Sequence, residues 1–572
     1  MKSTLLALML ATLVATAVSA DDLEGVWSAY LDYGVPARID IAIEHDDDGS
    51  WVAKIGETQA KGQQGDDGTV AFVTDMGTLR LYPQAATAYW VQPYLEMSGS
   101  AYANPVDLTA DEEGTWRGMA RPRPVHLRLD LVVQSTDAGL AANLRNPEYN
   151  MGRNMPAMRI EAHDDGTIAF RHEDNPPALH GTRAGDRMDL QFENIDERVT
   201  FVRTVTPRPG YAPRSQPVIA LTPPAALDDG WLVAVPRSRG VDPDPLLALT
   251  QRVAEQDPGN LYGETVHTMV LTQGGVVVYE EGFFGHDPRV PHDTRSAGKS
   301  FSSTMVGLAI QQGYAISPST TLADVFGDEI PASDKRKRAI TAAHLMSMAS
   351  GLDCDDGNYE SPGNEDVMQS QQAQRDWIRY TLDLDMVRAP GEKAIYCSAG
   401  VNLASTMVAR VTGRWLPEFF DQQFAKPLGI RHYHINLMPT GDMYVGGGVY
   451  MTARDLAKFG QLYLNDGVWN GERLLPEGWV GEAFSAVASI NGPDDYGWNW
   501  WRQSFEVDGQ RIEARYAAGN GGQLTFVLPQ LDAVFVVQAG NYGNYGTWRR
   551  FRDEYLPDYV IPALLARSAS TR

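Results

Sequence analysis

Between residues 204 and 230 the chain reads TVTPRPGYAPRSQPVIALTPPAALDDG, a stretch with six prolines. Proline fixes φ and withdraws a backbone donor, so such a run suits neither a helix interior nor a central strand. It predicts a semi-rigid linker that divides the 572 residues into two differently patterned segments. A chain of that length calls for more than one core in any case.

Residues 21–203 read as β structure. Ile39, Ile41 and Ile43 alternate with polar neighbours, as do Leu127, Leu129 and Leu131, which is the period of half-buried strands. The segment repeats itself: EGVW (24–27) returns as EGTW (113–116), and DDGTVAF (66–72) as DDGTIAF (164–170). A duplicated β unit, barrel or sandwich, is the expectation. If the linker keeps two cores apart, a chain starting near residue 225 should work alone.

From residue 231 to 572 the pattern is mixed. HTMVLTQGGVVVYEEGF predicts a hairpin about Gly274-Gly275, Thr341 and Thr452 stand as caps of helices, and 547–567 reads as a final helix. Helices between an early hairpin and late strands predict an α+β fold, an antiparallel sheet flanked by helices.

Residues 1–20, MKSTLLALMLATLVATAVSA, have the lysine, apolar run and small residues of a secretory signal peptide, so an exported, periplasmic or secreted protein is expected. No later stretch reaches the roughly 20 apolar residues of a spanning helix. A net charge of −25 argues against nucleic acid or an anionic membrane as a partner, since both call for clustered Lys and Arg.

The chemistry concentrates in TRSAGKSFSSTMVGLAIQQG (294–313). Gly298-Lys299-Ser300 could end a phosphate loop, but the glycine needed five positions earlier is Asp293, which would repel a phosphate. The alternative is a nucleophile, Ser296, with Lys299 one helical turn on and projecting from the same face. Helix N-terminal N–H groups there favour developing negative charge. By itself S-x-x-K is a weak signal. No G-x-S-x-G elbow occurs, and the H-x-H of His432 and His434 has no zinc-type partner nearby.

Two further stretches lie downstream in order, Tyr396-Cys397-Ser398 and Asn520-Gly521-Gly522, with ITAAHLMSMASGL and GGGVYMTARDLAKFGQLYLNDGVWNGERLL between and around them. With Ser296 and Lys299 they resemble the serine β-lactamase and penicillin-binding protein superfamily, within it the class C-type, esterase and amidohydrolase branch. The resemblance spans about 235–567 and none of the first segment. It implies that Ser296 forms an acyl-enzyme, that Lys299 and Tyr396 jointly move its proton, and that Ser398 orients them. The backbone N–H groups of Ser296 and Gln523 would hold the oxyanion, and Gly521 and Gly522 would let substrate approach the strand. No metal or organic cofactor is implied. Relatives that recognise penicillins carry a cation at the third motif, where this chain has Asn520, so a neutral ester or amide substrate is expected. A DD-peptidase or β-lactamase is the alternative reading, and a cell-wall or polymer-binding protein the alternative of another class. If Tyr396, Cys397 and Ser398 are extended, Cys397 points away from substrate and can pair with Cys354, the only other cysteine.

Overall fold

A computed structural model describes residues 22–569 apart from 33, 96–99, 113, 125, 138, 147–156, 173–175, 194–197, 205–211, 215, 259, 261, 333, 371–374, 486 and 493–494. The expected leader lies outside the described residues.

The first segment is all β, with the expected alternation: Ile39, Ile41 and Ile43 are buried on Ile39–His45, and Leu129 and Leu131 on His126–Thr136. It forms two sheets, and the repeated sequences are exchanged between them. The EGVW strand, Gly25–Asp32, pairs with His126–Thr136 and Arg198–Arg203, closing an eight-stranded barrel built from the second repeat. The strand that follows EGTW, Trp116–Ala120, pairs with Ile39–His45 and Ser100–Ala110 in the sheet of the first repeat. Similar strands fit equivalent slots, so each repeat completes the other's sheet. Each sheet has its own core, Trp27, Phe170 and Phe201 in the barrel and Ile43, Phe72 and Trp90 in the other.

This corrects the expected division at residues 21–203, 204–230 and 231–572. The chain parts instead into one unit of residues 1–33 with 126–208, and another of 34–125 with 209–572. The physical reason is backbone pairing. Ser100–Ala110 bonds to His434–Leu437, with Ala103 opposite Ile435 and Tyr102 opposite Asn436. The proline-rich stretch has no helix or strand among its described residues, as expected, yet its second half is tied down. The Arg214 N–H donates to Ala254 O, the Val218 N–H to Gln251 Oε1, and Arg454 reaches Ala225 O and Asp229.

The second segment has the expected sheet. Val266–Gln273 and Val276–Gly282 form the hairpin, and Trp501–Val507, Gln510–Gly519, Gln523–Leu528 and Ala533–Ala539 extend it on one side. Leu232–Val233 adds a parallel edge strand. Its central strands are buried throughout, and successive residues feed opposite cores: Val270, Val527, Val534 and Val536 face one, Met269, Phe526, Phe535 and Val537 the other. Helices cover both faces, including Ser300–Gln311, Ser398–Thr412 and Ala453–Leu464 against the first core and Pro243–Ala254 and Ile561–Ala569 against the second. Among the described residues no helix is long and apolar enough to cross a membrane.

Candidate active site

The turn that carries Ser296 is clamped from three sides. The two-residue strand His292–Asp293 pairs with Val449–Met451, and both the Thr294 N–H and its hydroxyl donate to Val449 O. Gly519 presses its backbone on the turn: a β-carbon there would lie 2.3 Å from Thr294 O. Arg295 holds a left-handed φ of 47°, a conformation that costs a non-glycine residue on the order of 1 kcal/mol. Asp293 enforces it, accepting the Arg295 N–H at 2.9 Å and pairing with its Nε at 2.9 Å. The Tyr450 hydroxyl donates to the same carboxylate at 3.3 Å. The result is a short 3-10 turn, Arg295–Lys299, feeding the helix Ser300–Gln311.

Lys299 follows on that turn, 1% exposed, with Nζ 2.8 Å from Ser296 Oγ. A second contact, to Gly446 O, fixes the Nζ atom. Asn402 holds that acceptor in place by receiving the N–H groups of Val445 and Gly446 on Oδ1. Tyr396 closes the cluster: Lys299 Nζ lies 5.1 Å from its ring centroid, and the ring stacks on Trp501. Burial pushes its phenol well above the ordinary tyrosine value, the hydrogen bond with Ser296 pulls it back, and the charges of Asp356 and Glu365 raise it further. A neutral phenol beside the hydroxyl is therefore the resting form.

Other expected site residues are used differently. Ser398 is not extended; it opens the helix Ser398–Thr412, and both its N–H and its hydroxyl donate to Asp356 Oδ2, at 2.8 and 2.7 Å. It anchors the segment rather than bonding the nucleophile, because the chain turns helical at Ser398, after the extended Cys397. Asn520 Oδ1 accepts the Gly543 N–H at 2.7 Å, which ties two turns together. Gly521 and Gly522 have φ of 94° and 97°, and β-carbons there would lie 2.7 Å from the Tyr542 ring and 2.5 Å from the Phe551 ring. Their bareness serves backbone conformation and aromatic packing. Gln523 begins the strand opposite Gly519, so its main chain runs beside the nucleophile turn, while its amide is buried against Ala539. Cys354 and Cys397 are bonded, with Cα atoms 5.5 Å apart. His434 is buried on Asn104, and no cluster that could hold a metal ion occurs among the described residues.

A family model described as Beta-lactamase matches residues 264–550, half of the chain. This chain belongs to the beta-lactamase family. A 6-aminohexanoate-dimer hydrolase from Paenarthrobacter ureafaciens is 28% identical over 285 residues, covering 47% of this chain and 70% of that protein. Among solved structures, a family VIII carboxylesterase is 16% identical with a TM-score of 0.44, covering 58% of this chain and 99% of its own. A D-stereospecific amidohydrolase from Streptomyces sp. is 17% identical with a TM-score of 0.39, covering 50% and 94%. The chain is accordingly a hydrolase-family protein with an all-β partner segment.

In this family member Asp356, Asn402, Arg295 and Tyr450 escaped the sequence reading. Asp356 is the most telling: burial and the neighbouring charge of Glu365 push its carboxyl up to about 6, against the pull of Lys299 and the Ser398 hydrogen bonds. The signal was present in the cysteines. Bonding Cys354 to Cys397 brings the residue two beyond one of them beside Ser398. Arg295 and Tyr450 left no comparable trace, since their roles follow from a strained φ and a strand pairing.

Proposed function

We propose that the protein hydrolyses an ester or amide bond through an acyl-enzyme on Ser296. The observation that carries this is the 2.8 Å contact between Ser296 Oγ and the buried Lys299 Nζ, capped by a neutral Tyr396 phenol. When Ser296 Oγ attacks the carbonyl, the Lys299–Tyr396 pair takes its proton, and Tyr396 relays a proton to the leaving alcohol or amine. The backbone N–H groups of Ser296 and Gln523 serve as oxyanion donors. Water then attacks the acyl-enzyme, with the same pair as base, and frees the acid. Asn402, through Gly446, and Asp356, through Ser398, are positioning residues.

The substrate is a neutral ester or amide. Asn520 carries no charge, its carbonyl is spent on Gly543, and the nearby Arg295 is already paired with Asp293. A charge-assisted hydrogen bond is roughly twice as strong as a neutral one, so carboxylate recognition suffers selectively. Kinetics with a p-nitrophenyl ester and with benzylpenicillin test this: the ester should give the higher kcat/KM, and the reverse order would make the protein a penicillin-recognising enzyme. An amide is the second reading, favoured by the likeness to a hydrolase named for an amino-acid dimer. Export belongs to the same proposal, supported by the leader and by a Cys354–Cys397 bond of the kind oxidising compartments preserve.

A further inference from the structure

A cavity of about 350 Å³ opens between residues 431–433 and the strands Ile39–His45, Ser100–Ala110 and Trp116–Ala120, and Ser296 is not among its lining residues. Four arginines line it: Arg38, Arg117, Arg121 and Arg431. Against them stand the carboxylates of Asp40 and Asp107, so the lining is net positive in a chain of net charge −25.

The internal pairings of these arginines are weak. Arg38 meets Asp40 at 2.7 Å, Arg117 meets Asp111 at 3.2 Å and Arg431 reaches Asp228 only at 3.9 Å, all three arginines being more than half exposed. Exposed pairs of this kind contribute about 0–1 kcal/mol and exchange readily for a better partner. Arg121 has no ion pair among the described residues. His432 registers the resulting field: burial and the Arg121 charge hold its imidazole down at about 4. It is neutral near pH 7 and offers a donor and an acceptor without charge.

We propose that this cavity binds a carbohydrate carrying an anionic ester, a phosphate or a sulfate. Guanidinium forks match the oxygens of such a group bidentately. Asp40 and Asp107 supply what a bare anion site would lack, acceptors for sugar hydroxyls. The walls are pre-formed, because Met119 lies opposite both Asp40 and Asp107 in the sheet. The volume falls within the range of small-molecule sites, roughly 300–1,000 Å³. None of these residues belongs to the Ser296 cluster, so the inference stands apart from the hydrolytic reading.

Calorimetry on the full chain at low ionic strength tests it, with glucose 6-phosphate, glucose 6-sulfate, glucose and inorganic phosphate as probes. At least one sugar ester should bind with a Kd of about 1 mM or below. That binding should weaken roughly tenfold or more in Arg121→Gln/Arg431→Gln and with added salt, while ester hydrolysis by the double variant stays unchanged. Which ester binds better identifies the anion. Inorganic phosphate binding as tightly as either ester, equal binding of plain glucose, or undiminished binding by the double variant overturns the proposal, as does no binding of either ester at about 10 mM.

Discussion

The Ser296 turn and the Asn520 turn lie back to back, joined through Gly519, and both look like motif residues set around glycine. They are put to opposite uses. On the first, strain at Arg295 and the clamps at Thr294 and Asp293 leave the Ser296 hydroxyl and Lys299 Nζ facing each other at 2.8 Å. On the second, the polar and bare atoms are consumed by the fold: the Asn520 carbonyl by Gly543, the glycine surfaces by Tyr542 and Phe551. Motif letters mark where a turn sits; the hydrogen-bond partners decide whether it does chemistry.

The sharpest way to break that contrast is Lys299→Ala. Removing the only group bonded to the Ser296 hydroxyl from its own turn should lower kcat/KM roughly 10³-fold or more, with the fold retained by circular dichroism. A loss of only a few fold would make Lys299 a buried structural cation. Tyr450→Phe comes next. It deletes one hydroxyl bond to Asp293 and keeps the ring, so kcat should fall about tenfold while KM and Tm hardly move. A drop in Tm with kcat intact would show that the clamp serves stability alone.

Asn520→Ala should invert the pattern. The Gly543 N–H loses its acceptor, which costs about 1–2 kcal/mol of stability, while kcat/KM stays within a few fold. If activity collapses instead, the two turns are chemically equal and the contrast fails. The smallest effect on activity is expected of Asp356→Asn. Its folded pKa of about 6 is raised above the ordinary 3.8, so its stabilisation is complete below pH 3.8 and lost as pH rises through 6. The Asn variant should therefore gain stability relative to the parent, up to about 3 kcal/mol, as pH rises from 4 to 7. Thermal unfolding of both across that range reads the sign directly; a constant difference would mean the carboxyl is not perturbed.

Much of this was legible in the sequence. Period-two alternation gave the strands, caps at Thr341 and Thr452 gave the helices, and the spacing of Ser296 and Lys299 predicted that their side chains meet, as they do. What was not legible depends on pairing between distant strands. EGVW and EGTW read as members of their own repeats, because a strand's hydrophobic pattern says which face is buried and not which neighbour it bonds. For the same reason a linker of six prolines suggested independence, although Ser100–Ala110 hydrogen-bonds to His434–Leu437 across it. That pairing also argues against a chain cut near residue 225. It would expose the edge of His434–Leu437, whose other side holds Val449–Met451 and through it the strand before Ser296.

Trapping the intermediate tests the central claim most directly. The protein is incubated with a fluorophosphonate ester, digested and mapped by mass spectrometry. One adduct is expected, on the peptide containing Ser296, and none in Ser296→Ala, whose esterase kcat/KM should be lower by roughly 10⁴-fold or more. An adduct on another residue, or full turnover by Ser296→Ala, would contradict it.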